Sequence, residues 1–196
     1  LRVMEPGQTP SLVCSRVLAS LDPLLADEVP DVLLVQGDTS TALAGALAAF
    51  HRCIPVGHVE AGLRSGDVLS PHPEEMNRRV VDLVADAHFA PTARAVEHLA
   101  AEGVPADRIF LTGNTVVDAL QTVVARLDPE RTARRGEVLV TIHRRETFGA
   151  GIRDIFGAVA DLARLFPALR WVCPVHPNPD VVTPARDVLG SLPNVD

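Results

Sequence analysis

The stretch from Gly57 to Arg79, GHVEAGLRSGDVLSPHPEEMNRR, gathers ionisable side chains directly after an apolar segment. It contains two histidines, three glutamates, one aspartate and three arginines. Carboxylates at this density can exchange protons with a substrate, and neighbouring arginines can hold an anionic group of that substrate. The alternative is a solvated loop whose charges only face water. The two interpretations differ in whether the fold brings the carboxylates together.

Polar residues also follow the predicted strands, at the point where each strand ends. They are Asp38, Glu60, Asn114, His143 and His176. In open α/β sheets, ligands bind beyond the carboxyl ends of the strands. The pattern therefore favours a functional cleft at one sheet edge, although helix caps enrich polar residues at the same places.

Short apolar runs alternate with helical patterns, which predicts an α/β fold with parallel sheets. The predicted strands are 31–36, 54–59, 88–92, 108–113, 138–143 and 169–176. The predicted helices are 40–50, 73–87, 93–103, 115–127 and 152–166. The polar segment 128–136 lacks apolar periodicity, so we predict that it links two parts of similar build, 1–127 and 137–196.

The composition is that of an ordinary globular protein, with 196 residues, 47% of them hydrophobic and 22% charged. A formal net charge of -7 without a basic tail argues against a nucleic-acid partner. The sequence contains no secretory signal and no apolar stretch long enough to cross a membrane. Three widely spaced cysteines favour a reducing cytoplasm over a disulfide framework.

Cofactor fingerprints are absent from the sequence. No G-x-G-x-x-G opens a helix and no G-x-S-x-G marks a nucleophile elbow. A P-loop is excluded because all 18 basic residues are arginine. His58 with Glu60, and His72 with Glu74, match no established zinc spacing, so we expect no metal. We interpret His58, which lies inside a predicted strand, as a core or supporting histidine.

Five motifs then occur in order: QGDTSTALAGALAAFHRCIPVGHVEAGLRSGD, SPHPEEMNRR, FLTGNTVVDAL, TIHRRETFG and CPVHPNP. Together they resemble the non-hydrolysing UDP-N-acetylglucosamine 2-epimerases over nearly the whole chain. The resemblance implies a glycosyltransferase-B type fold, with two Rossmann-like domains whose parallel sheets are each only partly present. Residues 1–127 would be the C-terminal part of the first domain plus a connecting helix, and 137–196 the N-terminal part of the second. The intact protein would be a cytoplasmic homodimer without a cofactor, and this fragment would be inactive.

By this resemblance, the reaction converts UDP-N-acetylglucosamine to UDP-N-acetylmannosamine by eliminating UDP and adding it back. The implied catalytic residues are Asp38, Glu60, Glu74 and His143. The implied substrate-binding residues are Arg78, Arg144, His176 and Asn114. In some bacterial members the neighbourhood of His176 binds a second UDP-N-acetylglucosamine as an activator, which makes this an allosteric ligand to consider.

Structural explanations compete for several of these residues. Asp38 could cap the helix predicted from Ser40, and Glu74 could interact with the dipole of helix 73–87. Glu75 is the stronger case for such a dipole partner, and Asn114 could close a turn. We interpret the remaining charged candidates as solvated or ordinary: Arg79, Arg145, His51, His88 and His98.

Three other functions fit the same residues. A hydrolysing epimerase would release UDP and free N-acetylmannosamine by similar chemistry. A glycosyltransferase of the same fold would use an acceptor hydroxyl and would not need three clustered carboxylates. A nucleotide-sugar binding module would need no catalysis at all.

Overall fold

The structure is a computed structural model that describes residues 1–5, 7–127, 136–142 and 149–196. The chain divides into two compact units, Leu1–Val123 and Val124–Asp196. The first unit contains α1 (Pro10–Glu28), β1 (Leu33–Gln36), α2 (Ser40–His51), β2 (Val56–Val59), α3 (Glu74–Val84), β3 (Ala87–Ala90), α4 (Ala93–Ala101) and β4 (Ile109–Leu111). Helix α5 (Thr115–Arg126) contains the boundary. The second unit contains β5 (Glu137–Leu139), α6 (Ala150–Leu165), β6 (Arg170–Val172) and α7 (Pro179–Leu189).

The first unit is built on a four-stranded parallel sheet in the order β1-β2-β3-β4. Because all four strands run in the same direction, their carboxyl ends meet at one edge. Helices α1, α2 and α3 form the main hydrophobic core with one face of β1 and β2. The alanine-rich helix α2 lies close to the sheet: a Cβ added at Gly45 would be 3.3 Å from the side chain of Val35. This close approach requires a small residue at position 45 of α2.

The opposite face of this sheet carries apolar side chains that remain open to solvent. Leu34 is 61% exposed and Phe110 is 45% exposed. Gly57 lies between the flanking strands on this face, where an added Cβ would be 2.6 Å from Leu34 and 3.1 Å from Phe89. A glycine is needed there because the two larger side chains occupy the space above β2.

The second unit pairs β5 with β6 in parallel. Helices α6 and α7 pack around Trp171 and form a separate core. The backbone of Val195 makes an isolated parallel bridge to Trp171, which extends the pairing beyond β6. The prediction of an α/β chain with parallel sheets is confirmed in both units.

Several predicted boundaries were wrong. Predicted helix 73–87 ends at Val84, because Ala85 is extended (ψ 142°), and Ala87 begins β3. Helices α1 and α7 lie where the sequence predicted no element, and each contains an internal proline, Pro23 and Pro184, that breaks the usual helical pattern. None of the helices in the described ranges is long and apolar enough to cross a membrane.

Candidate active site

Two carboxylates follow directly from the ends of neighbouring strands. Gln36 of β1 pairs with Val59 of β2, so Asp38 and Glu60 leave the same sheet edge. The Gly37 N–H donates to the carbonyl of Val59 at 2.9 Å, and a Cβ added at Gly37 would be 3.5 Å from Glu60 Oε2. The prediction that both carboxylates lie at one edge is confirmed, whereas their chemical role stays a prediction.

Asp38 is not needed to cap helix α2. Thr39 is the cap, since its hydroxyl accepts a hydrogen bond from the Ala42 N–H at 3.2 Å. The Asp38 carboxylate instead accepts a hydrogen bond from Arg78 Nη2 at 2.6 Å, and the Asp38 carbonyl accepts one from Asn77 Nδ2 at 2.8 Å. Capping therefore does not explain this aspartate. Helix α3 binds both its side chain and its backbone carbonyl.

Glu60 adopts a backbone conformation that non-glycine residues seldom use. Its φ is +68°, in the left-handed region. The side chain is fixed by Asn114, whose Nδ2 donates to Glu60 Oε1 at 2.7 Å. Strained residues that the surrounding structure holds in place concentrate at functional sites. Glycine would fit this backbone more easily, so the presence of a glutamate points to a use for its carboxylate.

Asn114 has two structural tasks. Its Oδ1 accepts a hydrogen bond from the Val116 N–H at 2.9 Å at the start of α5, while its amide orients Glu60. Gln36 Nε2 also donates to the hydroxyl of Thr115 at 3.2 Å. The turn interpretation of Asn114 is confirmed, and its contact with Glu60 places it beside the carboxylate pair.

The two glutamates at the start of α3 differ sharply. Glu74 is half-buried and lies one helical turn before Arg78, on the same helix face by its spacing of four residues. Glu75 is completely buried. It accepts hydrogen bonds from the Ser65 N–H at 3.0 Å and from Arg79 Nε at 3.0 Å, and it lies 3.5 Å from Arg78 Nη1. Glu75 is thus more than the dipole partner that the sequence predicted, because it ties the loop after β2 to α3.

These contacts determine how Glu75 titrates. Burial raises the pKa of the Glu75 carboxyl, but the hydrogen bonds from Ser65 and Arg79 and the charge of Arg78 outweigh it, so the pKa lies below its ordinary value of 4.5. A carboxyl with a depressed folded-state pKa stabilises the fold above the unfolded-state pKa. That stabilisation is lost as the pH falls through the folded-state pKa.

We therefore predict that Glu75→Gln lowers stability at neutral pH and flattens the loss of stability below about pH 4.5. The measurement is the free energy of urea unfolding of the 196-residue chain between neutral pH and pH 3. The exposed Glu97 of α4 provides the control, since Glu97→Gln should leave the curve unchanged. Parallel curves for Glu75→Gln and the unmodified chain would contradict the prediction.

A buried charge network lies behind the carboxylate pair. His58 is fully buried, with Nδ1 2.5 Å from Asp82 Oδ1 and Nε2 2.9 Å from the Gly37 carbonyl. Asp82 Oδ2 accepts hydrogen bonds from Arg64 Nη2 at 2.8 Å and from the Gly62 N–H at 3.2 Å. Burial raises the pKa of Asp82, but His58 and Arg64 lower it by more, so the carboxyl stays ionised. The interpretation of His58 as a core or supporting histidine is confirmed.

Other candidates lie elsewhere or outside the described residues. His176 is exposed in the loop between β6 and α7, where its Nδ1 accepts a hydrogen bond from the Asn178 N–H at 3.2 Å. His143, Arg144 and Arg145 lie outside the described residues. Within the described ranges, no group of three or more His, Cys, Asp or Glu side chains could hold a metal ion.

The comparisons with known proteins identify the family. A family model described as UDP-N-acetylglucosamine 2-epimerase matches residues 1–196. The chain belongs to this family. The epimerase of Salmonella typhimurium is 46% identical over the whole chain, which covers 55% of that relative, and the Bacillus subtilis epimerase is 43% identical, with 52% of its length covered. The chain therefore spans about half the length of the curated epimerases it matches.

Solved epimerases share the fold of this chain. The Neisseria meningitidis UDP-N-acetylglucosamine 2-epimerase, a structure bound to UDP-N-acetylglucosamine, matches with a TM-score of 0.91 at 40% identity. That match covers all of this chain and 56% of the other. The Methanocaldococcus jannaschii epimerase, in complex with UDP-N-acetylglucosamine and UDP, matches with a TM-score of 0.79 at 32% identity, covering 97% of this chain and 55% of the other. The expected glycosyltransferase-B type class of the epimerases is thereby confirmed.

Sequence reasoning missed part of what surrounds the epimerase-family motifs. Asp82, Asn77 and Arg64 were not singled out, although they bond to His58, to the Asp38 carbonyl and to Asp82. Glu75 and Asp82 are seven residues apart and so share a helix face in α3. That spacing does not distinguish a buried charge pair from a solvated face, because burial of a charge depends on the distant residue that neutralises it.

Proposed function

We propose that this chain supplies the carboxylate side of a non-hydrolysing UDP-N-acetylglucosamine 2-epimerase site. The reaction inverts C2 of UDP-N-acetylglucosamine and yields UDP-N-acetylmannosamine. The observation that carries the proposal is the carboxylate pair of Asp38 and Glu60 at adjacent strand ends, each oriented by its own partner, Arg78 and Asn114. A glycosyltransferase or a binding module would not need carboxylates clustered around one sugar.

The chemistry needs proton transfer at a carbon that is not next to a carbonyl. A carboxylate removes the C2 proton, and the electron pair of the C2–H bond forms the C1–C2 double bond of 2-acetamidoglucal. The C1–O bond breaks, and its electron pair leaves with UDP. UDP then adds back at C1 while C2 receives a proton on the opposite face. Inversion at C2 needs a base on one face of the sugar and an acid on the other. Two carboxylates can fill these roles if each lies within hydrogen-bond reach of C2 on its own face.

Further roles follow from the family resemblance. Glu74 would complete the acid–base set with Asp38 and Glu60, and His143 would assist the departure and return of UDP. Arg78, Arg144, His176 and Asn114 would contact the substrate, with arginines suited to the pyrophosphate. We also propose a cytoplasmic homodimer without a cofactor, and a second UDP-N-acetylglucosamine near His176 as an activator.

A fusion protein makes the reaction testable. Residues 1–196 replace the matching segment of the Salmonella typhimurium relative, which supplies the remaining part of an epimerase-length chain. We refer to this protein as the Salmonella fusion. In heavy water it should convert UDP-N-acetylglucosamine to UDP-N-acetylmannosamine that carries deuterium at C2, because the protonated carboxylate exchanges with solvent between the two half-reactions.

The label separates the competing reactions. Mass spectrometry of the nucleotide sugars measures the deuterium at C2. Quantification of free UDP at early times shows whether UDP is released. A hydrolysing enzyme would release UDP in step with free N-acetylmannosamine, and a glycosyltransferase would need an acceptor and leave C2 unlabelled. UDP-N-acetylmannosamine formed without deuterium would refute elimination followed by solvent-exchanged protonation.

We further predict that the 196-residue chain by itself does not turn over UDP-N-acetylglucosamine. Its relatives are nearly twice as long, and we expect part of the groups that hold the departing UDP to lie in the length that this chain does not cover. The assay is mass spectrometry of the UDP-N-acetylmannosamine formed, with the Salmonella fusion as the positive control. Measurable turnover by the purified 196-residue chain would contradict this prediction.

A further inference from the structure

The buried pair of His58 and Asp82 has no part in the proton transfers proposed above. Both side chains are almost fully buried, with 0% and 2% of their surfaces exposed. His58 lies in the middle of the sheet, one residue before Val59 and two before Glu60. It is therefore placed to act on the carboxylate edge without reaching a substrate.

Both ring nitrogens of His58 face hydrogen-bond acceptors. The partner of Nδ1 is the Asp82 carboxylate and the partner of Nε2 is the Gly37 carbonyl, and both of these groups only accept hydrogen bonds. The ring makes both bonds only while each nitrogen carries a proton. The negative charge of Asp82 matches that form, and Arg64 and the Gly62 N–H occupy the second carboxylate oxygen.

The bond from Nε2 ends on the turn that carries Asp38. Gly37 has a φ of +70°, so the chain turns sharply at this residue between β1 and Asp38. Its N–H is already held by Val59, and its carbonyl is held by His58. Both polar backbone groups of Gly37 are thus fixed by β2, the strand that leads into Glu60.

We propose that His58 is a positioning residue, anchored by Asp82, whose Nε2–H fixes the Gly37 carbonyl and thereby the separation of the Asp38 and Glu60 carboxylates. The predicted effect on catalysis rests on the proposed epimerase function. The hydrogen bond from His58 to the Gly37 carbonyl does not depend on that function. Displacement of a catalytic group by about 1 Å can cost around a hundredfold in rate, so a fixed turn matters for two carboxylates that act on one carbon.

Two substitutions separate the two bonds of the ring. The amide nitrogen of asparagine overlaps with the Nδ1 position of histidine, whereas that of glutamine reaches the Nε2 position. His58→Asn therefore keeps the donor toward Asp82 and loses the one toward Gly37. His58→Gln keeps the donor toward Gly37 and loses the one toward Asp82. If positioning is the role, His58→Gln preserves function and His58→Asn does not.

His88 provides a matched control. It is paired in register with His58 on the adjacent strand, and it is 1% exposed. Its two ring nitrogens also face acceptors, the carbonyls of Arg108 at 3.2 Å and Asp82 at 2.9 Å. Neither bond reaches the turn of Asp38. His88→Asn should cost stability as His58→Asn does, but it should not move the turn.

The test has a structural arm and a kinetic arm. In the ¹⁵N-labelled 196-residue chain, the amide resonance of Asp38 reports on the hydrogen bond to the preceding carbonyl of Gly37. It should shift in His58→Asn and stay in place in His58→Gln and His88→Asn. In the Salmonella fusion, kcat should fall by about tenfold to a hundredfold in His58→Asn with little change in KM, and should be largely retained in the other two.

Each outcome decides the inference. An unshifted Asp38 resonance in a folded His58→Asn variant overturns it, as does an equal loss of kcat in the two His58 variants. If His58→Asn does not fold, His58→Gln still decides, because loss of the Asp38 resonance position or of kcat in that variant contradicts the role of Nε2. If the unmodified fusion shows no epimerisation, the proposed function fails, while the amide resonance still tests the positioning.

Discussion

Glu60→Gln should lower the turnover of the Salmonella fusion by about a hundredfold or more, the range that general acid–base groups contribute. Glutamine keeps the size of the side chain and the Oε1 oxygen that accepts from Asn114 at 2.7 Å. It removes only the ability to take up and return a proton. The left-handed backbone at residue 60 is unchanged, because glutamine and glutamate meet the same steric limits there. The loss should therefore appear in kcat, with little change in thermal stability.

The measurement compares the rate of UDP-N-acetylmannosamine formation with the incorporation of deuterium into recovered substrate. A variant that cannot remove the C2 proton loses both signals together. Glu97→Gln, on the exposed side of α4, serves as the control and should retain the full rate. Full activity in Glu60→Gln would return Glu60 to a structural role and leave Asp38 and Glu74 as the only carboxylate candidates.

The sequence predicted the positions of the carboxylates well because the predicted strands 31–36 and 54–59 end where β1 and β2 end. The apolar runs before Asp38 and Glu60 are short and bounded by polar residues, and a parallel sheet places such ends at one edge. The predicted alternation of strands and helices was sufficient to bring these two residues together. The sequence did not predict which residues would bind the two carboxylates, because these hydrogen-bond partners depend on packing between helices and loops.

The buried charges could not be predicted in the same way. Glu75 and Arg79 are spaced like an ordinary surface pair at i and i+4, and only the fold shows that the carboxylate is wholly buried. Asp82 has the same difficulty, since its partners His58 and Arg64 are 24 and 18 residues away. Local patterns describe periodicity, whereas the burial of a charge depends on which distant residue neutralises it.

The glycine of the HVEAG motif has a physical explanation that the sequence alone did not provide. Gly62 has a φ of +79°, and a Cβ added there would be 2.4 Å from the carbonyl oxygen of Ala95 and 2.9 Å from Leu99 Cδ1. Ala61, just before it, is fully buried against β3 and α4. The turn that carries Glu60 is thus pressed against helix α4, and no side chain fits between them.

Gly62→Ala should therefore destabilise the first unit by about 2 to 5 kcal/mol, the sum of a left-handed backbone penalty and an overpacking penalty. The overlap is with backbone atoms of α4, which cannot rotate away as a side chain could. The helix must shift, and the bond from the Gly62 N–H to Asp82 must lengthen with it. The measurement is the free energy of urea unfolding of the 196-residue chain at neutral pH.

Gly103→Ala separates the two penalties. Gly103 has a φ of +88° at the end of α4, but a Cβ added there meets nothing within 4 Å. Its replacement should cost only the backbone penalty, about 1 to 2 kcal/mol. The difference between the two variants then measures the contact of the Glu60 turn with α4. Equal losses in the two variants would show that α4 yields easily, and that the turn beside Glu60 is held by its hydrogen bonds to Asp82 and Asn114 instead of by close packing.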